Sequence, residues 1–378
     1  MPETATAPES GASDDRPSSR GGRSMRRRVI SGAVSLVLVV VIFAYAIPRI
    51  ANYGEVWSTV STLTPLELWT ILAATVFNLF TYWLANLAAL PGLKLGQAAV
   101  VTQTTTSVAN TVPAGGAVAL GLTYKLLRSW GFTGSAIALY IGVTGIWNIF
   151  TKLALPVVSI AVLALTGGGS GAYVVAALIG LVVLGVAVVL LALVLWKESF
   201  ARRVGDRLGR IASWLRTLAH REPVTDGADR AAAFRADTVE LVHRRWVAIT
   251  LTTLLSQLAL YFVLVLSLRH LGVSEQEVSA AEIFAVYAFG RLLTALPITP
   301  GGLGFVELGY IGGLVSAGGA RPQVVAAVLL FRALTYGIQI PLGVFTYMIW
   351  RAKSSWRRDA PPEGSIGERE HEARAEPA

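Results

Sequence analysis

The chain has 378 residues, of which 54% are hydrophobic and only 15% charged, with a mean hydropathy of +0.59 and a formal net charge of +9. It contains no cysteine, which excludes disulfides, thiolate metal sites and cysteine catalysis. Long apolar runs with few charges point to an all-α polytopic membrane protein and away from a β-barrel, whose strands would be about 10 residues of alternating polarity.

Residues 1–24, rich in Ser, Pro, Gly, Ala and Arg, have the composition of a disordered tail. The run 29–48 follows Arg26, Arg27 and Arg28. It exceeds the usual signal-peptide core of about 7–15 residues and is read as an uncleaved first helix, a cleaved signal being the competing reading. After a loop at 49–65, residues 66–90 predict a second span.

Residues 95–112 are only moderately apolar and carry Gln103, Thr104, Thr105, Thr106, Ser107 and Asn110. Pro113-Ala114-Gly115-Gly116 then breaks the helix, and a short apolar piece, 117–127, leads to Arg128. This predicts a re-entrant hairpin over 95–128. Residues 134–166 would make a helix of about 50 Å, too long for a hydrocarbon core of roughly 30 Å unless it tilts or bends at Pro156. Gly167-Gly168-Gly169 makes a turn and 172–196 spans back.

In 197–245, Phe200, Val204, Leu208, Ile211, Leu215 and Leu218 recur at helical spacing among arginines. Such a helix lies in the inner headgroup layer or packs on the cytoplasmic face of the bundle. Residues 246–271 span again, 282–317 form a second broken hairpin, and 322–350 make the last span. Residues 351–378 form a second disordered tail.

The 32 Lys and Arg residues set the topology. Arg16, Arg20, Arg23, Arg26, Arg27 and Arg28 lie in the N-terminal tail, another cluster in 197–245, and a third after Trp350. The positive-inside rule places all three in the cytoplasm, giving a multi-pass cytoplasmic-membrane protein with both termini inside. The basic excess suits anionic lipid headgroups, and no nucleic-acid motif is present.

The two hairpins read as one unit used twice. Pro113 precedes Pro156 by 43 residues and Pro300 precedes Pro341 by 41. Each hairpin follows one span, and by the charge rule they open from opposite sides. The domain at 25–350 is thus an inverted repeat: a first half at 66–196, the amphipathic loop 197–245, and a second half at 246–350. It comprises about six full spans plus two re-entrant hairpins. Paired Gly/Pro-interrupted segments point to a transport site near the midplane.

The segment 297–307, PITPGGLGFVE, sits in the second hairpin. Broken backbone survives in hydrocarbon only when buried in protein or lining a wet cavity. Pro297, Pro300, Gly301, Gly302 and Gly304 make this break; Pro113, Gly115 and Gly116 make the first. Arg291 and Glu307 flank the second break, and Arg332 lies about 15 Å into the last helix with Tyr336 and Gln339 at i+4 and i+7. In the first half, Asn148 and Lys152 form an i, i+4 pair beside Trp147.

Intramembrane cations cost about 2.5–3.5 kcal/mol each on insertion scales, so they pair or face water. Guanidinium and ammonium groups both attract phosphate, and helix N-termini at the breaks would add N–H donors. These residues therefore predict a cavity for a phosphate-bearing amphipathic ligand. The competing reading makes Glu307 and the arginines a buried ion pair that locks the hairpin. No Ser/His/Asp set, metal motif, Walker loop or nucleotide fingerprint is present, and His220, His243, His270 and His371 are scattered. No catalytic residue, metal or cofactor is expected.

The pattern Arg291, Pro297, Pro300-Gly301-Gly302-Leu303-Gly304, Glu307, then Phe331-Arg332-Ala333-Leu334-Thr335-Tyr336 resembles the flippase-like transmembrane domain of bacterial lysylphosphatidylglycerol synthases. The resemblance covers roughly residues 30–350. In the first half, Asn110…Pro113 fits the family's Asn-x-x-Pro-like start. Gly116 and Ala117 stand where an acidic residue often follows, and Asn148 and Lys152 where a Glu-Arg pair often stands. Those synthases carry a separate aminoacyltransferase domain after the membrane part, whereas 28 residues follow Trp350 here, so lysyl transfer is not expected. The resemblance implies lipid translocation, or handling of a polyisoprenoid-linked or glycolipid headgroup. Two alternatives stand beside it: a scaffold or accessory subunit of an envelope-lipid transferase, and a membrane-embedded transferase with Glu307 as its candidate acid.

Overall fold

A computed structural model describes residues 53–112, 115–166, 227–294 and 299–353, with a few helical positions between 175 and 189. The predicted spans 29–48 and 172–196, the amphipathic stretch 200–218 and the far tails lie wholly or mostly outside these residues, as do Pro113, Ala114 and Pro297.

The described residues are helical throughout their regular structure, as the apolar runs require. The helices are α1 (Tyr53–Ser61), α2 (Pro65–Ala89), α3 (Leu95–Thr111), α4 (Gly115–Ser129), α5 (Gly134–Leu165), α6 (Gly227–His270), α7 (Ala280–Leu293), α8 (Phe305–Ser316), α9 (Arg321–Arg332) and α10 (Gln339–Ala352). Four stretches are long and apolar enough to cross a membrane: Pro65–Ala89, Gly134–Leu165, His243–His270 and Arg321–Ala352. The chain is a multi-pass membrane protein.

Local sequence sets the boundaries. Thr64 and Glu67 cap α2 reciprocally, as Ser279 and Glu282 cap α7, and the Thr133 hydroxyl accepts from the Ala136 N–H at the start of α5. The hairpin arms are short. At 1.5 Å per residue, α3 is about 26 Å long, α7 about 21 Å and α8 about 18 Å, all less than the roughly 30 Å core. These lengths fit the re-entrant reading of 95–128 and 282–317.

Four boundaries differ from the sequence reading. The loop at 49–65 contains α1, which packs against α9. Helix α6 begins at Gly227, well before the apolar run at 246, because 227–245 lacks proline after that glycine and is rich in Ala and Arg. Helix α5 continues through Pro156 without a break, so the length mismatch is not relieved by ending the helix there. The final span is not one α-helix: a π-turn at Ala333–Gly337 divides it, and the Ile338 N–H reaches back to the Ala333 carbonyl at 2.9 Å. Pro341, by contrast, sits in the first turn of α10, where its missing N–H is harmless.

Packing follows the two halves. Helix α3 lies along α10, and its counterpart α7 lies along α5; α2 packs against α6, the two helices that precede the hairpins. Exchanging the halves maps the first contact onto the second and leaves the third unchanged. In lipid, such association depends on small residues and interhelical hydrogen bonds rather than apolar burial. Gly343 shows this at α3–α10: a Cβ there would lie 2.3 Å from the Gln103 carbonyl oxygen. Ser107 donates to the Ile340 carbonyl at 3.0 Å across the same contact, and Asn78 on α2 donates to the Ser256 carbonyl on α6 at 3.0 Å.

Candidate functional site

A cavity of about 350 Å³ lies where the two halves meet. From the first half, Tyr82 on α2, Gln103, Thr106 and Asn110 on α3, and Asn148 and Lys152 on α5 line it. From the second half come Arg291 and Thr294 on α7, Gly301, Tyr310 on α8, and Arg332, Thr335, Tyr336 and Gln339 around the π-turn. Arg291, Arg332, Tyr336, Gln339, Asn148 and Lys152, singled out from sequence, thus face one space. Glu307 does not: it is 0% exposed and lies behind Arg332.

The second break builds one wall. Gly301, Gly302 and Gly304 have φ of 59°, 72° and 87°, a left-handed conformation that glycine adopts at little cost. The turn brings Glu307 under its own helix start, where Oε2 accepts from the Gly304 N–H at 2.6 Å. Oε1 accepts from Arg332 Nε at 2.5 Å. The guanidinium also donates to the Gly301 carbonyl at 3.3 Å and lies over the Tyr336 ring, 4.5 Å from its centroid. The Tyr336 hydroxyl donates to the Asn110 carbonyl at 2.6 Å, and a Cβ on Gly301 would lie 3.0 Å from Asn110 Oδ1. The end of α3 and the break of the second hairpin therefore meet at one point.

The first break differs in detail. Gly115 and Gly116 are not in the break but open α4. Gly115 is there for close approach, since a Cβ would lie 2.5 Å from the Val108 carbonyl oxygen, whereas at Gly116 it would meet nothing.

Arg291 is held by neutral groups. Arg291 Nε donates at 2.9 Å to Gln257 Oε1, which also accepts from the Tyr287 hydroxyl at 3.0 Å. Among the described residues neither Arg291 nor Lys152 has an ion-pair partner, and no carboxylate lines the cavity. Three cations stand against one carboxylate, Glu307, which is already matched to Arg332. The site is electropositive, and anionic ligands suit it.

A larger cleft of about 1190 Å³ lies on the opposite side of α7, lined by Phe289, Gly290 and Leu293 among others. It is mostly apolar, and its carboxylate lining residues are Glu275 and Glu282. The smaller cavity carries the chemistry. Sequence reading left Tyr82, Tyr310 and Gln257 out of the site; each stands in an apolar helix with no local signal to separate it from a packed residue. Gln103 and Thr106 belonged to a visible polar run.

The lysylphosphatidylglycerol synthase TM region family matches residues 29–343. The chain belongs to this family. The match takes in both hairpins and all the residues of the cavity. No curated protein matches the chain significantly. In this member of the family, Asn148 and Lys152 occupy the first-half wall and Gly116 stands free of neighbours.

Proposed function

We propose that the chain binds a phosphate-bearing lipid headgroup, of a phospholipid, glycolipid or polyisoprenoid, in the cavity between its halves and moves it across the cytoplasmic membrane. The observation that carries this reading is the convergence of Lys152, Arg291 and Arg332 from both halves on one cavity that no carboxylate lines. Cations at that depth are costly unless paired, and a phosphate would match the two that lack an ionic partner. A cavity shared by two exchangeable halves fits alternating access. The distribution of Lys and Arg supports a topology with both termini on the cytoplasmic side.

The transferase alternative is disfavoured: Glu307, its candidate acid, is sealed behind Arg332 and takes two hydrogen bonds there. The protein is proposed to act without catalysis, cofactor or metal. Reconstitution in liposomes with headgroup-labelled lipids tests the reading. Lys152→Met, which leaves no buried group unpaired, should lower headgroup transport roughly tenfold, the equivalent of one charge-assisted contact, with unchanged melting. Arg332→Ala and Glu307→Gln should impair both folding and transport. Unaltered transport in all three removes these residues from the mechanism. Absence of transport by the wild type, together with co-purification with a lipid transferase, would favour the accessory-subunit role.

A further inference from the structure

We infer that the cavity takes a phosphodiester headgroup bearing an uncharged hydroxyl, read by Gln103, and discriminates against headgroups that carry an ammonium. This rests on the phosphate reading above and specifies the class of headgroup.

Gln103 is 1% exposed, lines the cavity, and among the described residues has a hydrogen-bond partner at neither Oε1 nor Nε2. Four polar neighbours on α3 are satisfied. Thr104 reaches Thr346 at 3.1 Å, Ser107 reaches the Ile340 carbonyl, and Thr102 and Thr105 each donate to a carbonyl of their own helix at 2.6 Å. The Gln103 backbone is fixed by the close approach of Gly343, so its side chain is rooted at a rigid contact. A buried amide without partners is costly, and such a group needs a reason.

The chemistry of the amide narrows the ligand. It offers two N–H donors and one acceptor. Phosphate oxygens only accept, so they leave Oε1 unmatched. An ammonium only donates, and here it would enter beside Lys152, Arg291 and Arg332 with no lining carboxylate to offset the repulsion. A hydroxyl both donates and accepts. A glycerol, polyol or sugar next to the phosphate satisfies both ends of the amide while the cations hold the phosphate. An ethanolamine headgroup, which has an ammonium and no hydroxyl, does not.

Three lipids that share the phosphodiester separate these possibilities: phosphatidylglycerol, with hydroxyls; phosphatidylethanol, with none; and phosphatidylethanolamine, with an ammonium. Binding to the full chain in nanodiscs is read by native mass spectrometry. The wild type should prefer phosphatidylglycerol over phosphatidylethanol by roughly tenfold, as expected when a buried polar group is otherwise left unpaired, and bind phosphatidylethanolamine most weakly. Gln103→Met should bring the first two lipids to parity. Equal binding of these two lipids by the wild type would overturn the hydroxyl reading and leave the phosphate reading standing, with the amide holding ordered water. Phosphatidylethanolamine binding equal to that of phosphatidylglycerol would overturn the exclusion of ammonium. Persistence of the preference in Gln103→Met would overturn the role of Gln103. Binding of none of the three lipids would sink the phosphate reading too. The wild-type comparison stands even if the variant fails to fold.

Discussion

Gly301 joins three parts of the site through its lack of a side chain. Its φ of 59° would cost an L-residue about 1 kcal/mol, and a Cβ would lie 2.2 Å from Tyr336 Cε2. Tyr336 in turn supports the Arg332 guanidinium and tethers the end of α3. Gly301→Ala should therefore displace the tyrosine and lower the melting temperature in detergent by several degrees. Adding Tyr336→Ala should recover part of that loss by removing the clash. An additive double variant, with no recovery, would mean that the backbone conformation alone decides the cost. Glu307 shows the limit of reading a residue from its neighbours in sequence. Its place among intramembrane arginines suggests an ion-pair partner, and it is that and the acid of its own helix start at once. Contact with a ligand is the competing reading, and burial behind Arg332 puts its carboxylate out of reach of the cavity.

At the scale of elements, the positions of both hairpins were legible because proline and glycine interrupt helices locally and hydropathy is a property of each segment. The π-turn was not legible. Ala333–Gly337 contains ordinary helix formers alongside one glycine, and the extra residue in the turn is selected by what the flanking helices must reach. Arg332 has to meet Glu307 on α8 while Gly343 and Ile340 meet α3. Deleting Leu334 would restore an unbroken α-helix and rotate α10 by about 100° relative to α9. One set of contacts must then be lost. We expect a loss of thermal stability well beyond that of Leu334→Ala, measured by melting in detergent. Equal effects of deletion and substitution would show that the π-turn is incidental. Pro156 and Pro341 make a related point: they match in sequence spacing, yet one lies inside a continuous helix and the other in the first turn after a break.

Across the whole molecule, the halves are joined mainly by α2 on α6, α3 on α10 and α7 on α5. The α3–α10 contact is close because Gly343 has no side chain there. Gly343→Leu should separate these helices, open the cavity on that side and raise the labelling rate of a cysteine placed at Thr106 in this cysteine-free chain. Unchanged labelling and melting would show that the contact does not hold the halves together.

The sequence by itself determined that the chain lives in a membrane, where its helices break, and which ionisable residues lie at depth. Each of these follows from the transfer of a short segment into hydrocarbon, which depends on that segment alone. Only the tertiary structure decided that Lys152, Arg291 and Arg332 share a cavity, that Glu307 lies behind Arg332 and outside its lining, and that Gln103 lines the cavity with no partner among the described residues. Those outcomes depend on side chains far apart in the chain, such as Asn110 with Tyr336 and Ser107 with Ile340, brought together by packing between the halves. Hydropathy carries no record of which helix a polar side chain will meet.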